Sequence, residues 1–384
     1  MIDITKLFCG QETESDALRY GEGHGAAKAA SERRPVVVWN TTRTCNLRCI
    51  HCYTASENKK YEGELTNSQG RALIEDLAQF KIPAILFSGG EPLVRPDLLE
   101  LATYAKSLGL RPTLSTNGNL IDEKMAARIK AAGFIYVGVS LDGLEEVNDK
   151  FRGAVGAFKK ALGAFRNLHA VGQKVGLRLT LTRHNAQELN RIFDFIEREG
   201  INRVCFYHLV YSGRGRGMRN EDLTHEESRQ ALDTILARSK DFSDRGLPIE
   251  VLTVDNHVDG IYLYLKLLKE DPDRAERVLK LLQWNGGGRF SSGVGIGDID
   301  PEGNVHPDQF WMHYSFGNVK ERKFSEIWQD TSDPLMAGLK DRLPLLKGKC
   351  GACKWQSACG GSLRVRADLV YNDPWMEDPA CYLD

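Results

Sequence analysis

Three cysteines open the run of residues most able to do chemistry, Thr44-Cys-Asn-Leu-Arg-Cys-Ile-His-Cys-Tyr53. Cys45, Cys49 and Cys52 follow a C-x3-C-x2-C spacing, one thiolate short of a closed site. Three thiolates on one tight loop hold three irons of a cubane and leave the fourth iron open to a ligand. A structural zinc site pairs two C-x2-C knuckles, and no second knuckle lies near this loop. A disulfide knot fits poorly with nine cysteines, an odd count, in a chain of 384 residues.

A second set, Cys350, Cys353, Cys359 and Cys381, has four thiolates, enough to close a cubane. Zinc is the competing occupant there, because Cys350 and Cys353 also form a C-x2-C knuckle. Cys205 lies in an apolar run and reads as a core residue. Cys9 carries no signal.

The elements that must position these groups alternate strand and helix. Strands are expected at Pro35–Asn40, Ala84–Ser88, Arg111–Thr116, Ile135–Ser140, Val175–Leu181 and Arg203–Leu209. Helical periodicity fills Leu98–Leu108, Glu123–Ala132, Ala157–Ala170 and Leu189–Arg198 between them. Thr66 with Gln69, and Thr224 with Glu227, have the form of capping boxes. Six βα units imply parallel strands covered by helices, an α/β fold too short for an eight-fold barrel. Polar loops follow every strand: the cysteine loop, Ser88-Gly-Gly-Glu-Pro92, Ser115-Thr-Asn-Gly118, Ser140-Leu-Asp-Gly143, Thr182-Arg-His-Asn185 and Tyr207–Gly215. Any one is explained by turn chemistry. Six on one rim, the rim where barrel active sites are built, point to a site. The expected division is an N-terminal arm, loosely attached, at 1–34, a partial barrel at 35–220, a mainly helical connection at 221–285 and a cysteine-bearing domain at 286–384.

Bulk composition excludes several classes. Formal net charge is −1, which offers no electrostatic case for nucleic acid or an anionic membrane. No apolar run reaches the roughly 20 residues of a bilayer span, and the first residues lack a signal-peptide pattern. Clustered cysteines without such a signal suit a reducing cytoplasm.

The cysteine loop together with Gly89-Gly-Glu-Pro92 resembles the radical S-adenosylmethionine (SAM) superfamily over 35–384. The resemblance implies a partial (β/α)6 TIM-type barrel. It also implies a 4Fe–4S cluster on Cys45, Cys49 and Cys52, with SAM on the open iron. SAM cleavage then yields a 5′-deoxyadenosyl radical that abstracts hydrogen, and an electron donor such as a flavodoxin or ferredoxin is implied. Carried over by position, Gly89, Gly90 and Glu91 meet the methionyl amine. Asn117 and Ser140 lie near the ribose and carboxylate of SAM, and Arg152 pairs with that carboxylate; as a residue alone, Arg152 reads equally as a surface arginine. His51 stands in a slot that is usually aromatic. The C-terminal cysteines resemble a shortened SPASM or twitch domain, implying a second 4Fe–4S cluster.

Gly303–Trp311, Gly317-Asn-Val319, Cys359–Ala367, Asp378–Tyr382 and Val37–Asn40 are similar to the tetrapyrrole-modifying members. Two activities follow from that likeness. One removes acetate side chains from 12,18-didecarboxysiroheme to give Fe-coproporphyrin III; the other removes propionate side chains in the heme d1 branch. A peptide-modifying SPASM enzyme is the outgroup. A flat, carboxylate-ringed iron macrocycle asks for aromatic walls, cationic clamps and an iron ligand. Phe310, Trp311, Tyr314 and Trp355 are candidate walls, and Arg214, Arg216 and Arg219 candidate clamps. His208, His306 and His313 are candidate iron ligands or proton donors. Each of these residues has an ordinary core or surface reading as well.

Overall fold

The structure is a computed structural model describing residues 1–13 and 30–383. Its strands are β1 (Ile2–Asp3), β2 (Val36–Asn40), β3 (Ile85–Ser88), β4 (Pro112–Thr116), β5 (Tyr136–Ser140), β6 (Val175–Leu181), β7 (Arg203–His208), β8 (Glu250–Val254), β9 (Ile296–Ile299) and β10 (Val305–His306). They join in one sheet of order β1-β8-β7-β6-β5-β4-β3-β2-β9-β10. From β2 to β8 each strand runs parallel to the next. The two ends of this order do not pair with each other, so the barrel is partial.

Alternation along the strands sorts the side chains. Ile85, Phe87, Leu114, Val137, Val139, Leu177, Leu179, Val204 and Phe206 pack into the apolar core. Leu86, Ser88, Ser115, Ser140, Arg178, Thr180 and Tyr207 line a cleft instead. Because the period is two, slipping one strand by a residue would send its polar set into the core. The helices Glu123–Ala132, Ala157–Ala170 and Leu189–Arg198 cover the apolar face. In the last, Leu189, Ile192, Phe193, Phe195 and Ile196 are buried, each worth roughly 1.5–3 kcal/mol. Both capping boxes form, with Thr66 bonding Gln69 and Thr224 bonding Glu227.

Three expectations need correction. The connection at 221–285 contains β8, which pairs parallel with β7 and extends the six strands to seven. Its signal was the run Ile249-Glu-Val-Leu-Thr-Val254, masked by the helices on either side. The N-terminal arm is not loose over its first residues: β1 pairs antiparallel with β8, and Ile2, Ile4 and Leu7 are buried. The stretch 14–29 of that arm lies outside the described residues. Finally, β9 joins the barrel sheet as a parallel neighbour of β2. The C-terminal segment is therefore hydrogen-bonded into the sheet that bears the cysteine loop.

Candidate active site

The cysteine loop leaves β2 and is tied down on several sides. Arg214 donates from Nε to the Cys49 carbonyl and from Nη1 to the Ser56 carbonyl, each at 2.8 Å. The Ile50 amide donates to the Phe151 carbonyl at 3.0 Å, and the Cys45 amide to Glu57 at 3.1 Å. Cys45 and Cys49 are buried and Cys52 is half-buried. Burial pushes the Cys45 thiol up to about 12, although the Leu47 amide bonds its sulfur. Burial likewise raises Cys49, against the charge of Arg152. Buried thiols held this high need a cation to become thiolates, and a coordinated metal deprotonates them outright. Donors already surround the sulfurs: Arg152 Nη1 lies 3.7 Å from Cys49 Sγ, and Asn117 Nδ2 3.9 Å from Cys45 Sγ. Such bonds to ligand sulfur tune a cluster's potential. Among the described residues no three His, Cys, Asp or Glu side chains converge on one ion. In a cubane each thiolate takes its own iron.

The Gly89-Gly90 turn presses on this loop. A Cβ on Gly90 would stand 2.3 Å from the Thr44 carbonyl oxygen, and one on Gly89 (φ +140°) 2.5 Å from that of Thr42. The Gly90 amide donates to Thr42 at 2.7 Å and the Glu91 amide to Thr44 at 2.9 Å. With those hydrogens committed, the turn has only acceptor oxygens to offer an ammonium. Gly89 and Gly90 line the cleft, but Glu91 does not. Its carboxylate is fully buried and accepts from the Leu93 amide, Thr116 Oγ1 and the Asn117 amide. Burial pushes it up to about 7 despite those bonds. In this structure the carboxylate braces the loop after β4.

Asn117 and Ser140 line the cleft as expected. Arg152 lines it too, but is already engaged by Asp142 and Cys49. Its Nε remains buried and unpartnered, which leaves one donor for an added anion. His51 packs on Phe151 with ring centroids 4.5 Å apart. Burial holds its imidazole down at about 4; Asp142 opposes this, and Arg152 and Arg214 add to it. Two cleft residues were missed by sequence reasoning. Asp142 accepts from the Thr180 amide at 2.7 Å and pairs with Arg152. Arg178 donates to Ser115 at 2.8 Å and lies over the Tyr207 ring. An arginine between Leu177 and Leu179 on a buried strand was the readable signal.

Of the aromatic candidates, Phe310 lines the cleft, edge-on to Tyr53 at 5.5 Å. Trp311 is buried in a second core, Tyr314 donates to Asp333, and Trp355 packs on Tyr264. Arg216 and Arg219 are exposed, whereas Arg214 lines the cleft, bonding two carbonyls and keeping Nη2 buried and unpartnered, so of the expected clamp of three only Arg214 stands at the cleft. His306 is buried between Tyr314 and Asp300, and His313 is bonded to Asp368. Only His208 of the three lines the cleft, whose volume is about 1100 Å3 including its mouth.

The second cysteine set gathers from the turn Gly348–Gly351, the helix Gln356–Cys359 and the C-terminal segment. Burial raises the Cys359 thiol, and the nearby charges of Cys381 and Cys350 raise it further. A Cβ on Gly360 would meet the Arg289 amide nitrogen at 2.2 Å, so Gly286-Gly-Gly288 packs directly on this loop. The Trp355 amide bonds Cys353 Sγ at 3.4 Å.

Comparison with known proteins decides the family. The Fe-coproporphyrin III synthase of Methanosarcina barkeri is 56% identical over 100% of this chain and 98% of its own length. The radical SAM superfamily model matches residues 39–196. This chain is a radical SAM enzyme. An iron–sulfur cluster-binding domain model, SPASM, matches residues 297–354. The pre-heme d1 synthase of Dinoroseobacter shibae is 45% identical over 91% of this chain and 86% of that protein. SuiB of Streptococcus suis, bound to S-adenosylmethionine, shares the fold with a TM-score of 0.69 and 17% identity, covering 91% of this chain and 78% of SuiB. Membership brings SAM and a 4Fe–4S cluster to the barrel and a second cluster to the C-terminal domain. No helix among the described residues is long and apolar enough to cross a membrane.

Proposed function

We propose that this chain removes the acetate side chains of 12,18-didecarboxysiroheme to give Fe-coproporphyrin III. The observation that carries this reading is the identity of 56% with the Methanosarcina barkeri synthase along both whole chains. In it Cys45, Cys49 and Cys52 hold the radical-generating cluster, and Cys350, Cys353, Cys359 and Cys381 the auxiliary one. Gly89 and Gly90 offer carbonyl oxygens to the amine of SAM. Asn117 and Ser140 line its polar wall, and the unpartnered Arg152 Nε takes up its carboxylate. Cluster and SAM together supply hydrogen-atom abstraction. The protein's own part is to orient and to exclude water. Leu209, Val210 and Phe310 form an apolar wall beside the cysteine loop, closed off by the segment Ser212–Gly215. The Gly213 Cβ position lies 2.4 Å from the Cys52 carbonyl oxygen, so this segment sits directly on the loop. A small electron-transfer protein, a flavodoxin or ferredoxin, supplies the electron in the cytoplasm.

The test is anaerobic incubation of cluster-reconstituted protein with SAM, reductant and 12,18-didecarboxysiroheme, followed by mass analysis of the tetrapyrrole. Acetate loss is expected, and Cys49→Ala is expected to abolish both it and SAM cleavage. An unchanged tetrapyrrole alongside active SAM cleavage would overturn the substrate. A second reading, removal of propionate side chains in the heme d1 branch, is favoured by the 45% identity to the Dinoroseobacter shibae enzyme. The same mass measurement separates the two, because propionate-shortened products differ in mass from acetate loss.

A further inference from the structure

A histidine that binds metal usually donates its second ring N–H to a carboxylate, which fixes the tautomer and the ring plane. Two histidines line the cleft, His51 and His208. His51 stands on the cluster loop between Cys49 and Cys52. His208 ends β7, and the apolar wall of Leu209 and Val210 follows it directly.

His208 Nε2 lies 2.9 Å from Asp259 Oδ2. The other oxygen of Asp259 accepts from the Tyr382 hydroxyl at 2.6 Å. Asp259 is fully buried at the start of the helix Val258–Glu270. Burial opposes its ionisation, but the charge and the hydrogen bond of His208 outweigh that and hold its pKa below the usual range. The carboxylate is therefore ionised and held at both ends. The imidazole it orients exposes about a tenth of its side chain, on the cleft side. Its remaining ring nitrogen has no hydrogen-bond partner among the described residues.

Building on the tetrapyrrole reading, we infer that His208 is the protein's axial ligand to the iron of the substrate, with Asp259 and Tyr382 as its positioning residues. Coordination fixes the macrocycle at its centre, where carboxylates on the rim cannot. It also accounts for a buried Asp–His pair set directly before the apolar residues Leu209 and Val210 of the cleft wall. His208 keeps its Nε2–H on Asp259 and gives the lone pair of its other ring nitrogen to the iron; the proton that the charged imidazole carries on that nitrogen leaves to water at the cleft mouth as the bond forms. Asp259 makes the imidazole a stronger donor. Tyr382 follows Cys381, so the same chain of hydrogen bonds runs from the iron site to the backbone of the auxiliary cysteine loop.

The experiment adds iron(III) coproporphyrin III to the cluster-reconstituted protein, reads its iron by EPR, and after reduction to iron(II) reads it by resonance Raman spectroscopy. Metal-free coproporphyrin III, followed by fluorescence quenching, reports binding that needs no iron ligand. Iron and sulfide content checks that each variant has folded. The wild type is expected to show an iron–histidine stretching band. His208→Ala is expected to lose the band, regain a nitrogen-ligated spectrum with added imidazole, and bind the metal-free porphyrin within about twofold of the wild type. Asp259→Asn is expected to keep the band at lower frequency. An unchanged band in His208→Ala would overturn the inference alone. So would loss of metal-free porphyrin binding in that variant, which would make His208 a packing residue. Failure of the wild type to bind either porphyrin would overturn the tetrapyrrole reading, and this inference with it.

Discussion

At the scale of residues, the type of a side chain announced its chemistry but not its partner. Glu91 and Arg152 were both readable as ligands for SAM, a carboxylate for the amine and a guanidinium for the carboxylate. The folded chain gives Glu91 three protein donors and turns it inward. This leads to a prediction. Glu91→Gln sets an amide NH2 against the Asn117 or Leu93 N–H, leaving a buried donor unpaired. A loss of about 1–3 kcal/mol in unfolding free energy is expected, measured by urea denaturation. SAM affinity should fall with it, because Asn117 loses its brace. A variant of wild-type stability would refute the bracing role. Gly90→Ala is a sharper test of the same contact. A methyl group 2.3 Å from the Thr44 oxygen must push the two loops apart. Overpacking of this kind costs about 1–3 kcal/mol. Here it is expected also to lower the iron content of the barrel site, read by iron and sulfide assay.

At the scale of elements, the boundaries were legible where local signals agreed with packing. The strand Val175–Leu181 and the helices Glu123–Ala132, Ala157–Ala170 and Leu189–Arg198 run over the expected residues. Alternating or 3.6-fold apolar spacing coincides there with a buried face. The helix Glu145–Arg152 was missed, because only Asn148, Phe151 and Arg152 are buried along it. The turn after β10 carries a prediction of its own. Asp308 is buried against Ser292 and the Phe310 amide, and burial pushes its carboxyl up to about 6, those bonds opposing. A folded pKa above the ordinary 3.8 means the native state holds the proton more tightly. The stability this contributes is complete below pH 3.8 and is lost as pH rises through about 6. The loss amounts to about 3 kcal/mol. Asp308→Asn stays neutral throughout and keeps an acceptor for Phe310. It is expected to flatten that slope and to exceed the wild type in stability at pH 7, by urea unfolding at pH 5 and pH 7. An identical slope in both proteins would remove Asp308 as its source.

At the scale of the molecule, the sheet ignores the division drawn from the sequence. β9 shields the β2 edge beside the cysteine loop, and β1 shields β8 at the other end. Arg366, fully buried, pairs with Asp378 and donates to the carbonyls of Leu209 and Asp255. The C-terminal segment is thereby fastened to the barrel rim. A fragment ending at residue 285 would bare the backbone groups of Val36–Trp39 and the partners of Arg366. Exposed strand edges template association. The fragment is expected to aggregate, seen by light scattering, whereas the full chain stays dispersed. A monodisperse fragment with the circular dichroism of a folded α/β protein would show the barrel to be autonomous.

The amino-acid sequence by itself determined the two cysteine sets, the parallel βα order and the loops that share a rim. These are local facts, written in spacing, caps and apolar period, and neighbours in sequence suffice to specify them. Tertiary structure alone decided which polar groups face the cleft and which are used up in holding it. Glu91 is spent on the Leu93 and Asn117 amides and the Thr116 hydroxyl, Arg214 both holds the loop and lines the cleft, and His208, Arg178 and Asp142 line it as well. That choice rests on contacts between residues up to 165 positions apart in the chain, as between Arg214 and Cys49. A buried polar group takes whichever partner the fold brings within hydrogen-bond reach, and no spacing along the sequence encodes that encounter.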